Sequence, residues 1–461
     1  MRDTPSLARK QTWKNQSSRF SWTVFPAHLL FFLMLFLPTA YAPAKVVLII
    51  LVLTAIGSQL FLRGRFRLHR SVLVWTLLMI TTSLAFMYLG WVNNAPGALR
   101  VGTVYVLWPV LYAIYIAGAA RQSILEGLLR VLVIATVAIG LYFLYFVLHE
   151  SGWLPDAFYF SIEGLDVSQG QRIAFYEGYT RANLHSFTTL FFTVPFLVSA
   201  LLFWPKARTY PVARRWLWLA LGLGLLTVFL SGRRGLWLVV GLCFPIAVLF
   251  WLLGRPRSYD LNRLLRTIIW GTAVLLIVIG LLKWSINLSI QSMSEFSSEG
   301  FDQPRELQMY ALLQGWLASP LFGAGHGASA ADFGFVRVEG KEWMYELFYL
   351  ALLYQTGLVG VVIYASGVIW IYWMGLRMLR SGDRLGRYIA PILVGTACFL
   401  LATMTNPYLG TYDYLWVIFL PVAFINRWLL DRRRNTLQLL IRPRAKSHVR
   451  LVDADGGSGR R

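Results

Sequence analysis

The side chains best suited to bind an anion are arginines in three polar stretches of an otherwise apolar chain. Arg172 and Arg181 lie in QRIAFYEGYTRANLHSF, Arg233 and Arg234 lie in SGRRG, and Arg305 lies just before ELQMYALLQGWLAS. Guanidinium groups hold phosphates through paired N–H donors, and two adjacent arginines suit a bidentate grip. Contact with a lipid headgroup is an equally good interpretation of Arg233. As a set, these arginines indicate an anionic substrate, and a diphosphate fits them best.

Groups that can accept a proton lie close to the last of these stretches. Glu342 and Glu346 are four residues apart, a spacing that places two side chains on one face of a helix. Glu346 is followed by an apolar run, where a carboxylate needs a partner or a function, whereas Glu342 is equally well explained as a solvated end residue. His326, in GAGHGAS, is a third candidate base, although a lone histidine in a glycine-rich loop more often only fills a hydrogen-bonding position. We predict these three residues as catalytic candidates in the order Glu346, Glu342, His326.

Residue spacing argues against several other kinds of site. The chain has no H-E-x-x-H pattern, and GAGHG is not followed by the Lys-Ser/Thr pair of a phosphate-binding loop. Cys243 and Cys398 each lie within an apolar run, so they suit neither a disulfide framework nor a thiolate metal site. We therefore expect no bound metal and no cofactor.

The chain around these residues has the composition of a membrane protein. Of the 461 residues, 57% are hydrophobic and only 14% are charged, which predicts an all-α polytopic integral membrane protein. Runs long enough to cross about 30 Å of hydrocarbon predict twelve transmembrane helices, at residues 21–41, 44–62, 71–92, 99–119, 127–148, 185–204, 215–231, 235–254, 267–291, 344–375, 388–406 and 409–428.

The distribution of charge predicts which helix ends face the cytoplasm. Four connections and both tails are basic: 63–70, 205–215, 255–266, 376–387, 1–20 and 429–461. With these segments inside, the cytoplasmic side holds 33 of the 43 Lys and Arg residues and 7 of the 21 acidic residues, as the positive-inside rule requires. The net charge of +22 is therefore explained by topology, and no nucleic-acid partner is expected. We predict a transmembrane domain over residues 21–428 in a bacterial inner membrane, with both termini cytoplasmic and a mobile basic tail at 429–461.

Two predicted outer loops are much longer than the others, at residues 149–184 and 292–343. Long loops in a compact protein are usually functional or disordered. The second loop, between the ninth and tenth transmembrane helices, contains its own helix signal, because Asp302 and Pro304 suit a helix start and Pro320 suits its end. We expect a short amphipathic helix there, lying at the outer surface.

Three motifs occur in the order and topology of a known family. Arg305, Trp316 and the glycines of PLFGAGHG match the pattern R…W…P-L-x-G-x-G, LSGRRGLWL is similar to the turn S-R-G-x-x-L, and Arg172, Gly178 and Asn183 follow the pattern R…G…N. Together they resemble the bacterial O-antigen ligase and polymerase superfamily over about residues 170–410.

The resemblance implies an activity for these residues. Members of that superfamily transfer glycans on the periplasmic face from an undecaprenyl-diphosphate-linked donor, without a metal ion or a nucleotide sugar. An inverting transfer needs a base for the acceptor hydroxyl and cations for the departing diphosphate. The arginines would supply the cations, and Asn183 and Trp316 would organise the glycan or the loop. A flippase and a chain-length regulator are the implied partners, together with membrane lipids.

One position departs from the ligase pattern. Ligases carry a histidine followed by Asn, Ser or Gln, then nine residues and G-x-x-G; counting back from Gly357, the histidine position holds Glu346. This departure favours a polysaccharide polymerase for O-antigen, capsule or exopolysaccharide, with Glu346 as the base, over an O-antigen ligase that transfers glycan to the lipid A core. A twelve-helix transporter of an anionic solute is the main alternative from another class. It is disfavoured because the two halves of the chain show no repeat and the largest loops face outward.

Overall fold

The computed structural model describes residues 24–63, 67–120, 122–150, 152–160, 162, 173–176, 179–182, 184–204, 211–231, 233–254 and 303–449. The described part of the chain contains twelve α-helices: α1 (Phe25–Phe36), α2 (Ala42–Arg63), α3 (Arg70–Val92), α4 (Trp108–Gly118), α5 (Gln122–Glu150), α6 (Phe187–Phe203), α7 (Arg214–Leu230), α8 (Arg234–Gly254), α9 (Gln303–Ala318), α10 (Phe348–Arg380), α11 (Arg384–Ala402) and α12 (Trp416–Val449).

Eleven of the twelve predicted transmembrane runs coincide with one of these helices. The other run, 267–291, lies outside the described residues, and α9 is the predicted helix of the long loop. Six helices, α3, α5, α8, α10, α11 and α12, are long and apolar enough to cross a membrane, and several shorter helices are equally apolar. The predicted helical membrane protein is therefore confirmed.

One predicted helix boundary was wrong, and one helix extends beyond its predicted membrane span. The run predicted at 344–375 forms a helix only from Phe348, because residues 341–347 are turns and irregular chain, and this helix continues to Arg380. Helix α12 continues past the predicted membrane boundary at residue 428 to Val449, into the segment predicted as a cytoplasmic basic tail. A helix can extend past the membrane because its backbone groups are satisfied within the segment, so the end of an apolar run does not mark its end.

The centre of the bundle is formed by α6 and α11. Nearly every residue of α6 is buried, and 78% of the most apolar 18-residue stretch of α11 is buried as well. Close approach is possible because Gly395 of α11 lies against the backbone of Phe192 in α6. The indole of Trp416 completes this core, with its ring centroid 4.8 Å from that of Phe192 and 5.5 Å from that of Phe31.

Loops that the topology places on one side do meet in the structure. The amide of Gly97, between α3 and α4, donates to the carbonyl of Gly327, between α9 and α10 (3.0 Å). The amide of Thr39, between α1 and α2, donates to Asp413, between α11 and α12 (2.9 Å). At the opposite ends, Arg380 of α10 donates to the carbonyl of Leu253 in α8 (2.9 Å). We call the side with the first two contacts the outer face.

One element departs from the all-α prediction. Residues in the predicted outer loop 149–184 form an antiparallel hairpin of β1 (Ile173–Tyr176) and β2 (Tyr179–Ala182), with Ile173 opposite Ala182. The sequence between the two strands is Glu-Gly, and glycine favours tight hairpin turns.

Candidate functional site at the outer face

A carboxylate held between two arginines lies at the start of α10. The Oε2 atom of Glu346 accepts a hydrogen bond from Nε of Arg305 (2.7 Å), and its Oε1 atom accepts one from Nη2 of Arg337 (2.7 Å). Side-chain exposure is 25% for Glu346, 50% for Arg305 and 34% for Arg337, so all three groups can still contact solvent or a ligand. We call these three residues the arginine cluster. It carries one net positive charge.

Helix α9 positions the arginine cluster through a buried glutamine. The Oε1 atom of Gln308 accepts the backbone N–H groups of Glu346 (3.2 Å) and Leu347 (3.0 Å), just before the first turn of α10. These amides have no carbonyl partner within α10, so the glutamine acts as its N-terminal cap. Gln308 is only 1% exposed. Gly315, about two turns later on the same face of α9, has no side chain and so lets the helix approach the ring of Tyr354. Arg305 is thereby fixed relative to Glu346.

Helix α10 is interrupted at Gly357, whose φ of 59° and ψ of −170° are not helical. The backbone groups freed by this break pair with residues 320–327, which we call the glycine segment. The amides of Ala324 and Gly325 donate to the carbonyls of Tyr354 (3.0 Å) and Gln355 (2.9 Å). In the other direction, the amides of Leu358 and Val359 donate to the carbonyls of Pro320 and Leu321, both at 3.0 Å. The broken helix is tolerated because the glycine segment satisfies its polar groups.

Glycine is required where the glycine segment meets α3. Gly325 has a φ of +92°, which side-chain-bearing residues rarely adopt, and a Cβ added there would overlap the backbone of Gly90. The amide of His326 then donates to the carbonyl of Phe86 (2.9 Å). The segment therefore joins α10, α3 and the loop before α4.

His326 is fully buried within this junction. Its ring stacks on Tyr105 with centroids 4.3 Å apart, Nε2 lies 3.0 Å from the hydroxyl of Tyr364, and Nδ1 lies 3.4 Å from Oε1 of Gln355. Burial lowers the pKa of His326, because a charged imidazole would lose its hydration there. A histidine enclosed in this way cannot reach a substrate hydroxyl without rearrangement of the loop. The geometry favours the hydrogen-bonding interpretation of His326 over a role as base.

Glu342 does not share a helical face with Glu346, so that part of the sequence argument was wrong. Both residues precede α10, in the irregular stretch 341–347. Glu342 is partly buried, and no ion pair to it is found among the described residues. Within the described structure, the carboxylate of Glu342 therefore makes fewer ion pairs than that of Glu346.

The other predicted anion-binding residues lie at the start of α6 and α8. The guanidinium of Arg233 lies 5.4 Å from the ring centroid of Phe187, the first residue of α6. Arg234 is the first residue of α8 and Arg181 lies in β2, but their side chains fall outside the described part of the structure.

Two further predicted residues, Arg172 and Asn183, lie outside the described residues altogether. The prediction that these outer arginines bind one anionic substrate as a set therefore stays a prediction. Trp316 does have a structural role, because its indole N–H donates to the carbonyl of Pro320 (3.1 Å) at the turn into the glycine segment.

The structure adds residues that the sequence argument missed. Arg337 belongs to the arginine cluster, and the rule that singled out the other outer arginines would have found it too. Lys45 and Asp413 form an ion pair of 2.6 Å with both side chains 1% exposed, and Lys45 also donates to the carbonyl of Leu37 (2.8 Å). Lys45 and Asp413 are each an isolated charged residue beside an apolar run, and this pattern could have identified them from the sequence.

No group of three His, Cys, Asp or Glu side chains that could hold a metal ion is present in the ranges that the structure describes.

Comparison with known protein families identifies the relatives of this site. Residues 219–365 match the family model described as O-Antigen ligase. This match supports the resemblance of the chain to the O-antigen ligase and polymerase superfamily. The matched segment contains the complete arginine cluster, the glycine segment and the break in α10, so the site described here lies inside the part of the chain that is similar to O-antigen ligases. A search of curated proteins found no match to the chain.

Proposed function

We propose that the protein transfers glycan units on the periplasmic face of the inner membrane from an undecaprenyl-diphosphate-linked donor, as a polymerase for O-antigen, capsule or exopolysaccharide. The observation that carries the proposal is the arginine cluster at the outer end of α10, within the segment that matches the O-antigen ligase family. The periplasmic location rests on the charge distribution, which puts the basic connections on the opposite side.

The arginine cluster suits a diphosphate leaving group. Arg305 uses Nε and Arg337 uses Nη2 to contact Glu346, and each guanidinium has further N–H donors. Glu346 holds both guanidinium groups in place before the substrate binds, so these side chains lose little conformational freedom on binding. Negative charge that develops on the departing diphosphate would be stabilised by the net positive charge of the cluster.

The base is better assigned to Glu342 than to Glu346. Both oxygen atoms of Glu346 accept charge-assisted hydrogen bonds at 2.7 Å, so its structural role is the stronger one. Glu342 lies four residues earlier and is partly buried, with no ion pair in the described residues. In this assignment Glu342 takes the proton of the acceptor hydroxyl while the acceptor oxygen bonds to the sugar carbon, and the bond from that carbon to the diphosphate breaks so that the diphosphate leaves with the electron pair. Metal-independent inversion at the sugar carbon is part of the same proposal.

Substitutions in the arginine cluster test the proposal directly. Arg337→Ala should weaken donor binding, because a charge-assisted hydrogen bond is worth roughly 1.5–3 kcal/mol, equivalent to a rise in KM of about tenfold or more. Arg337→Lys should recover only part of this, since an ammonium lacks the planar fork. The matched control is Lys341→Ala, which removes an exposed cation from the same loop. Normal polymer formation by purified Arg337→Ala with lipid-linked donor would refute the role of the cluster.

Transfer to the lipid A core is the second candidate, because the matching family model is described as O-Antigen ligase. Expression in cells that lack either a polymerase or a ligase separates the two. Restored ladders of lipid-linked polymer would support the polymerase, whereas restored attachment of a preformed polymer to lipid A core would support the ligase. Glu342→Gln should abolish whichever activity is found.

A further inference from the structure

The turn that follows α3, residues 93–102, borders the candidate site. We call it the outer turn. The amide of Gly97 donates to the carbonyl of Gly327 (3.0 Å), and Nδ2 of Asn93 donates to the carbonyl of Ala324 (3.1 Å), so the outer turn is bonded to the glycine segment at two points. It lies outside the part of the chain that matches the family model. A segment that the family match does not include is therefore built into the site.

The indole of Trp343 reaches the outer turn from the loop before α10. It lies directly on the backbone of Gly97, because a Cβ built on this glycine would overlap Cγ and Cδ2 of the indole. The guanidinium of Arg100 lies 5.1 Å from the centroid of the same ring, a distance at which a cation is attracted to an aromatic face. Gly97 and Arg100 therefore fix the position of Trp343.

Trp343 shares a tight turn with Glu342, the proposed base. The amide of Met344 donates to the carbonyl of Lys341 (3.0 Å), so Glu342 and Trp343 are the two central residues of this turn. Because they are adjacent in the chain, an indole that is held on Gly97 restricts where the backbone can place the carboxylate. The outer turn thus supplies the order that a helix or strand would give to Glu342 elsewhere.

We propose that Trp343 is a positioning residue for Glu342 and that the outer turn holds it in place. The inference rests on the proposed function, because it takes Glu342 as the base. A base must lie within hydrogen-bond reach of the acceptor hydroxyl, and a displacement of about 1 Å can slow a reaction about a hundredfold. The arginine cluster is positioned separately, because Gln308 caps α10 at Glu346 and Leu347. Loss of the contact with Trp343 should therefore slow the chemical step and leave diphosphate binding unchanged.

The contact can be broken from either side in the full-length protein. Trp343→Ala removes the indole, and Gly97→Ala displaces it, because the atoms nearest to the added Cβ all belong to Trp343. Each should lower kcat for transfer from undecaprenyl-diphosphate-linked glycan by about ten- to a hundredfold, with unchanged affinity for inorganic pyrophosphate. Arg100→Ala removes only the cation over the ring and should lower kcat by about two- to fivefold. Gly97→Ala/Trp343→Ala should equal Trp343→Ala, since the added methyl group then meets no ring.

Glu342→Asp shows whether Trp343 acts through the carboxylate. This change shortens the side chain by one methylene group, so it displaces the base without removing it. If both residues act on one carboxylate, Trp343→Ala/Glu342→Asp should lose much less activity than the product of the two single losses. A tryptophan that only stabilises the loop would give the full product and weaker pyrophosphate binding, and either result overturns the inference.

Two control variants make the same chemical changes away from this contact. Trp91→Ala removes an indole that is 59% exposed, and Gly57→Ala adds a methyl group in open space. Both should keep normal kcat, and equal losses in the controls would overturn the inference. Full activity of Trp343→Ala beside an inactive Glu342→Gln would refute the inference alone. Full activity of Glu342→Gln would refute the assignment of the base in the proposed function, and the inference with it.

Discussion

Replacing Glu346 by glutamine separates a positioning role from a role as base. Glutamine keeps the size of the side chain and one acceptor oxygen, but it removes the charge that both Arg305 and Arg337 contact at 2.7 Å. The two ion pairs are partly exposed to solvent, with the glutamate 25% and the arginines 50% and 34% exposed. Each is therefore worth about 0.5–1 kcal/mol, well below the value of a fully buried pair. We expect Glu346→Gln to weaken docking of the loop by about 1–2 kcal/mol.

The assay is hydrogen exchange at the amides of residues 337–347 in the purified protein. A loss of this size should speed exchange there by roughly 5- to 30-fold, while amides in the buried helix α11 keep their protection. In turnover, KM for the donor should rise and kcat should fall less than a hundredfold. The matched control is Glu339→Gln, an exposed glutamate of the same loop with no ion pair in the described residues.

The opposite result would refute this reasoning. A general base contributes about 10²- to 10⁴-fold to the rate. If Glu346→Gln lost activity by this factor while exchange, stability and donor binding stayed unchanged, Glu346 would be the base and the ion pairs would be incidental. Unchanged activity and unchanged exchange together would remove both roles.

Three other substitutions test the scaffold around the site. Gly325→Ala should strongly lower the temperature of thermal unfolding, because the added Cβ would overlap the backbone of Gly90. The control is Gly334→Ala, since Gly334 has a similar φ of +83° but open space around it, and this change should cost only about 1 kcal/mol. Equal effects of the two substitutions would contradict the packing argument. Lys45→Met should cost about 3–5 kcal/mol by leaving Asp413 buried without its partner, and Lys45→Met/Asp413→Leu should recover most of this in the same measurement. Burial lowers the pKa of His326 below its usual value of 6.5, so the unfolded chain binds a proton at a higher pH than the folded protein does. The free energy of unfolding should therefore decrease as pH falls below about 6.5. His326→Gln should flatten the decline in melting temperature between pH 7 and 5, and an unchanged slope would contradict this reasoning.

The sequence by itself determined the membrane class, most of the helices and the resemblance to the O-antigen ligase family. About twenty consecutive apolar residues must form a helix in a bilayer, because no other single segment satisfies its own backbone there. The motif around Arg305, Trp316 and the glycines that follow was sufficient to recognise the O-antigen ligase domain, since it depends on local order in the chain.

The tertiary structure alone decided how the site is built. The sequence LLYQTGLVG has the pattern of a continuous membrane helix, yet it breaks at Gly357, where residues 320–325 pair with its backbone from thirty or more residues away. Glu346 was predicted as a base from its position in a family pattern. Its partner Arg337 is nine residues away in an irregular loop, where no helical or strand period relates one side chain to another. Contacts of this kind depend on where the folded chain returns, and no local pattern of residues encodes them.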